Sequence, residues 1–150
     1  MDEGTIKSRL QAFEQLCRDE GVPFTVQRRT VLEAVLALDE HPTADQVYAV
    51  VTARLPGVSR ATVYRTLETL VRMGLITKAC HPGKAVRFDT RIEVHHHLVC
   101  MTCDTVVDLV DKRLDALPMP DTSAQGFVVS DFRVQLRGLC RRCREKEEKR

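Results

Sequence analysis

Four of the six cysteines form two Cys-x-x-Cys pairs, Cys100/Cys103 and Cys140/Cys143. Thiolates at this spacing can reach one tetrahedral Zn²⁺ from two tight turns. The same stretch carries His95-His96-His97, with Asp89 upstream and Asp108 downstream. Imidazoles with carboxylates suit a harder or borderline divalent ion such as Fe²⁺, Mn²⁺ or Zn²⁺. One short segment thus offers ligands for two metals of different chemistry. The cysteine pairs stand 36 residues apart, longer than a usual zinc-ribbon interval. By spacing alone they fit either one shared Cys₄ zinc or two separate redox pairs. Neither pair opens a helix in a βαβ unit, which argues against a thioredoxin-like site. No His-x-Glu precedes a Pro-Cys-x-x-Cys, which argues against a zinc deaminase. A closed Cys₄ site pinning two strand ends together would be structural. Cys17 reads as a small core residue, and Cys80 has no assigned role.

On a strand, His95 and His97 share a face and His96 points away. Two histidines on one face, with Asp89 just upstream and Asp108 in the next strand, favour ligation over an incidental cluster. His41 is the remaining candidate, in the loop before the third helix.

The elements that must position these groups fall into two patterns. Residues 6 to 20 place Ile6, Leu10, Phe13 and Cys17 at helical spacing, ended by Gly21-Val22-Pro23. Thr25 caps a second helix reaching about Leu38. Thr43-Ala44-Asp45-Gln46 has the capping-box pattern of a third helix. Ser59 caps a fourth, running to about Met73, with Val63, Leu67, Leu70 and Val71 on one side. Its first turns present Arg60, Thr62, Tyr64 and Arg65, side chains able to bond base edges and phosphates. Ile76 to Cys80 and Ala85 to Phe88 read as strands flanking His81-Pro82-Gly83-Lys84. That hairpin is a wing, with Lys78, Lys84 and Arg87 near phosphates. The pattern is a winged helix-turn-helix.

Beyond Phe88 the periodicity moves from 3.6 towards 2. Leu98 to Cys100, Thr105 to Val110 and Phe127 to Leu139 read as strands, and Asp111 to Leu117 as a short helix. The charged tail from Arg141 to Arg150 reads as a solvated, frayed end. The expected class is α+β: a winged helix-turn-helix domain over residues 1–88, then a small α/β metal-binding domain over 89–150.

Charge supports the division. Residues 54–88 hold seven basic side chains against one acid, although the net charge of the chain is only +2. A local basic excess on a balanced chain is the footprint of a polyanion-binding surface. No apolar run approaches a membrane span, and Met1-Asp2-Glu3-Gly4 does not open a signal peptide. A cytoplasmic protein without membrane association is expected. A zinc enzyme or thiol oxidoreductase, the competing class, leaves the basic helix unexplained.

Several motifs in order resemble the ferric uptake regulator (Fur) family. They are Thr25-Val26-Gln27-Arg28, His41-Pro42-Thr43-Ala44-Asp45, Ser59-Arg60-Ala61-Thr62-Val63-Tyr64-Arg65-Thr66-Leu67, Val86-Arg87-Phe88-Asp89, His95-His96-His97-Leu98-Val99-Cys100 and both cysteine pairs. The match runs from about residue 6 to 143. The resemblance implies a homodimeric, metal-dependent transcriptional repressor on a near-palindromic double-stranded operator, not an enzyme, with the second domain used for dimerisation. It implies structural zinc at Cys100, Cys103, Cys140 and Cys143. It also implies a regulatory Fe²⁺ or Mn²⁺, or Zn²⁺, at His41, Asp89, His95, His97 and Asp108. Aspartate at positions 89 and 108 points to the peroxide-sensing (PerR-like) branch, in which His41 or His95 is oxidised. The alternative is an iron-uptake or zinc-uptake regulator. The last ligand of a further histidine site found in many members falls near Asp131-Phe132, so that site is expected to be missing.

Overall fold

A computed structural model describes residues 2–38, 41–79 and 85–149. Two compact units divide it, Met1–Ile92 and Glu93–Arg150. Asp89 therefore belongs to the first unit, three residues before the division.

The first unit opens with α1 (Glu3–Asp19), capped by Asp2, whose carboxylate accepts the Thr5 N–H at 2.9 Å. Gly21 ends it at φ +65°. There the Val22 N–H bonds the Cys17 carbonyl and the Gly21 N–H bonds that of Arg18, a Schellman closure that needs a left-handed residue. α2 (Val26–Leu38) follows, with the Arg28 N–H bonded to the Thr25 hydroxyl at 3.3 Å. α3 (Ala44–Arg54) begins in the anticipated capping box, in which Thr43 and Gln46 bond each other's backbone N–H. α4 (Arg60–Arg72) is capped by Ser59 and ends at Gly74, φ +68°, in a second Schellman closure.

Each helix turns its apolar side inward. Phe13, Leu32, Leu36, Val47, Val51, Leu67, Leu70 and Ile76 are fully buried in one core, and Cys17 lies among them. Such burial contributes about 1.5–3 kcal/mol per large side chain. Thr66 is also buried, which its polarity hides in the sequence; its hydroxyl bonds the Thr62 carbonyl at 2.9 Å. β1 (Thr77–Ala79) and β2 (Arg87–Asp89) pair antiparallel, with Lys78 opposite Phe88. The proposed tip of the wing, His81 to Lys84, and Cys80 lie outside the described residues.

In the second unit, β3 (His96–Cys100) is central. It pairs antiparallel with β4 (Val106–Leu109) and parallel with β5 (Gln135–Gly138). α5 (Lys112–Asp115) is one turn capped by Asp111. Two expectations need correction. The final strand does not run from Phe127 to Leu139 but only over Gln135–Gly138. His97 stands opposite Gln135 and β3 starts at His96, so residues before Val134 run past its end and have no ladder to join. The tail is not frayed: Arg141–Glu147 forms α6, with Cys140 at its N-cap and Cys143 buried in its first turn. Arg141–Glu145 and Arg144–Glu148 pairs at i,i+4 support that helix.

Candidate metal centres and nucleic-acid face

The four predicted cysteines converge. One Sγ from each lies within 4.8 Å of the other three, and Cys103 and Cys140 approach to 3.7 Å. A zinc holding four thiolates at ~2.3 Å places its sulfurs ~3.8 Å apart. Cys100 and Cys103 flank the turn after β3, and Cys140 and Cys143 open α6. Both pairs therefore sit where backbone N–H groups are available to sulfur. The Cys140 N–H points to Cys100 Sγ at 3.4 Å. The Thr105 hydroxyl, 3.2 Å from Cys103 Sγ, is the first cause holding that thiol down to about 5. Burial pushes the Cys143 thiol up to about 12. Arg142 places positive charge beside the Cys103 sulfur and the rest of the cluster. Thr105 and Arg142 were not singled out in the sequence; the former stands two residues after a ligand and the latter one before. The donor set suits structural zinc.

The imidazole–carboxylate ligands occur as a pair in the first unit and a trio in the second. In the first, His41 Nε2 lies 3.6 Å from an Asp89 carboxylate oxygen. His41 adopts φ +49°, a left-handed conformation uncommon outside glycine. β2 holds it there. Arg87 donates to the His41 carbonyl at 2.9 Å, and the Phe88 N–H bonds the Pro42 carbonyl at 2.9 Å. The other Asp89 oxygen accepts the Arg91 N–H at 2.8 Å, orienting the carboxylate.

In the second unit, His95 and His97 point to the same side although His95 precedes the strand. Their Nε2 atoms are 3.0 Å apart. Asp108, cross-strand partner of His97, places Oδ1 3.4 Å from His95 Nε2 and 3.8 Å from His97 Nε2. Two nitrogens at ~2.1 Å from one ion on adjacent octahedral positions would stand ~3 Å apart. His95 Nδ1 lies 2.7 Å from the Glu93 carbonyl. A proton on Nδ1 is required for that bond, which leaves Nε2 for a metal. This donor set suits Fe²⁺ or Mn²⁺.

His96 faces the other way. Its Nδ1 accepts the Val134 N–H at 3.0 Å and its Nε2 is 3.0 Å from Asp115. The ring stacks on Phe132 at 6.1 Å.

The predicted nucleic-acid residues lie on the exposed side of α4 and on β1. Arg60 forms an ion pair with Asp45 of α3, and its guanidinium lies 4.9 Å from the centre of the Tyr48 ring. Tyr64 donates to the same Asp45 oxygen at 3.3 Å. The Thr62 hydroxyl is 2.9 Å from that of Ser59. Lys78 pairs with Glu68 at 2.8 Å, and Arg65 is exposed. Lys84 lies outside the described residues. Asp45, which the sequence shows in a capping box and in the His41-to-Asp45 motif, is a member of this face that local pattern does not reveal.

A winged-helix unit combined with a thiolate cluster and imidazole–carboxylate ligands defines a metalloregulator. The family model described as "Ferric uptake regulator family" matches residues 19–137, and the chain belongs to that family. It is 34% identical to the peroxide operon regulator of Bacillus subtilis over 91% of this chain and 94% of that one. It is 30% identical to the peroxide-responsive repressor PerR of Staphylococcus saprophyticus, over 95% and 96%. The crystal structure of the Campylobacter jejuni peroxide stress regulator superposes with a TM-score of 0.63 at 27% identity, covering 89% of this chain and 98% of that one. Among the described residues no helix is long and apolar enough to cross a membrane.

Proposed function

We propose that this chain is a peroxide-responsive, metal-dependent repressor that binds a near-palindromic operator as a homodimer in the cytoplasm. The observation that carries the reading is the division of the ligands. His41 and Asp89 belong to the first unit and His95, His97 and Asp108 to the second, and neither group alone makes a full coordination shell. One ion taking ligands from both units ties the angle between them to metal occupancy. Moving an open-to-closed ratio from 1:99 to 99:1 takes about 5.5 kcal/mol of differential binding. Loss of one or two ligands on opening is of that order.

In this reading the protein's own groups set the response. The Glu93 carbonyl presents His95 Nε2, and Arg87 and β2 hold His41 beside Asp89. A bound Fe²⁺ would supply the redox chemistry by which peroxide transfers one oxygen to an adjacent imidazole and leaves as water. An oxidised His41 or His95 is a poor ligand, so the two units lose their tie and operator affinity falls. The damage is stoichiometric and the protein is not an enzyme. Arg60, Thr62, Tyr64 and Arg65 face the bases and backbone, with Lys78 and Lys84 along the wing. In a dimer the two α4 helices enter major grooves about 34 Å apart. Pairing is assigned to an apolar stripe across the second unit's sheet. Val107, Leu98 and Leu136 lie side by side in register, each 42–50% exposed. A cleft of about 210 Å³ opens beside them, lined also by Leu139.

Operator binding by the zinc-containing protein, with and without added Mn²⁺ or Fe²⁺, tests the reading. Metal is expected to tighten binding for wild type and to have no effect on His41→Ala. Peroxide should abolish binding of the Fe²⁺ form alone and add one oxygen to the peptide carrying His41 or His95. Equal affinity with and without metal, or an unmodified peptide after peroxide-induced release, would refute it.

A further inference from the structure

Beside the exposed start of α4 lies an acid from α3 that a purely electrostatic binder would not place there. Arg60 is the first residue of α4, whose first turn has no acidic side chain. A cation there opposes the positive end of the helix dipole. Two groups compensate: the Asp45 carboxylate, from the first turn of α3, and the face of the Tyr48 ring. Tyr64, one turn further along α4, donates to the same Asp45 Oδ1. One carboxylate oxygen therefore gathers the two bulky donors at the leading end of the reading helix, although Arg60 and Asp45 are both more than half exposed. Arg65 stays outside this network.

We propose that Asp45 is a specificity-determining residue: it withholds Arg60 and Tyr64 from the phosphate backbone and presents them to base edges. The assignment rests on the reading of α4 as the DNA-recognition helix. Its physical basis is a difference between two kinds of contact. A phosphate approaching Arg60 must displace Asp45 or lie beside its negative charge, and sequence-blind binding offers nothing in return. A guanine edge presents O6 and N7 without a formal charge. Arginine has five N–H donors, so a guanidinium bonded to Asp45 keeps others for that edge. The carboxylate thus penalises backbone contact while holding the geometry of base contact, which raises the ratio of operator to non-operator affinity.

Zinc-containing, Mn²⁺-loaded full-length protein tests this on two duplexes: one selected from a randomised pool by wild type, and a scrambled duplex of equal composition. Titrations run between about 50 and 200 mM salt, over which each added phosphate contact steepens the log–log slope by about 0.9. Asp45→Asn is expected to steepen the scrambled-duplex slope by about that amount and to lower operator preference several-fold. Asp45→Glu, which keeps the charge, should retain most of the preference. Asp45→Asn combined with Arg60→Gln should return the slope to the wild-type value. An unchanged slope and ratio in Asp45→Asn would overturn the proposal, as would steepening that persists without Arg60. Arg60→Gln alone gives a second reading should Asp45→Asn misfold. It should weaken operator binding and leave the scrambled slope unchanged, whereas a shallower scrambled slope contradicts the withheld role. If Mn²⁺-loaded wild type selects no duplex at all, the DNA reading itself fails, and this assignment falls with it.

Discussion

Four sulfurs within 4.8 Å of one another cannot all carry charge without a cation among them. Their surroundings also separate them: the Thr105 hydroxyl holds Cys103 down to about 5, while burial lifts Cys143 to about 12. Zinc uptake must therefore displace protons, Cys143's above all, and zinc affinity should rise with pH. The cluster also ties the turn after β3 to the start of α6. Metal binding in such sites is worth about 10–16 kcal/mol in small zinc-binding peptides. Cys140→Ser is expected to lose zinc by elemental analysis and to unfold the second unit, seen as collapsed amide dispersion for residues 93–149 by NMR. A zinc-replete, well-dispersed variant would count against a zinc site that needs all four cysteines.

Helix caps carry function here as well as stability. Thr43 begins α3 two residues after His41, and it also forms an isolated bridge with Arg87. The capping box, the bridge and the Arg87 bond to the His41 carbonyl converge on one short loop. Thr43→Ala removes the half of the capping box in which the Thr43 hydroxyl accepts the Gln46 N–H, at a cost of about 1 kcal/mol. A lower urea midpoint with an unchanged slope is expected, together with weaker binding of the regulatory metal because His41 loses its anchor. Stability loss with full metal affinity would show that β2 alone holds the loop. The second unit's β5 makes the complementary point. Phe132, Val134 and Leu136 alternate as a strand should, yet pairing stops where β3 stops. An alternating pattern states a capacity for strand, and the neighbouring strand sets its length.

The molecule as a whole divides its labour. The first unit has a continuous apolar core and the second a thin sheet with one exposed apolar face. An apolar stripe across three adjacent strands is more than scattered surface hydrophobes and marks an interaction surface. Leu98 is its centre, paired with Val107 on one side and Leu136 on the other. Leu98→Glu is expected to convert a dimer to a monomer in sedimentation while zinc content stays normal. Operator affinity should then fall steeply, since each half-site must be held separately. A dimeric Leu98→Glu protein would move the interface elsewhere, with the exposed Phe127-Val128-Val129 segment the next place to look.

Sequence alone determined the four helices of the first unit, the caps at Thr25, Thr43 and Ser59, the two cysteine pairs, the shared side of His95 and His97, and the basic character of α4. All of these follow from short-range periodicity, turn chemistry or ligand spacing, which the chain states locally. Tertiary structure decided how far β5 extends, the ordering of the charged tail into α6 on its cysteine cap, and the meeting of His41 with Asp89. It also decided that one Asp45 oxygen holds both Arg60 and Tyr64. Those outcomes depend on partners distant in the chain, such as the Arg87 side chain on the His41 carbonyl, 46 residues away. Hydrogen bonds of that kind are chosen by how whole elements pack, and no local pattern records them.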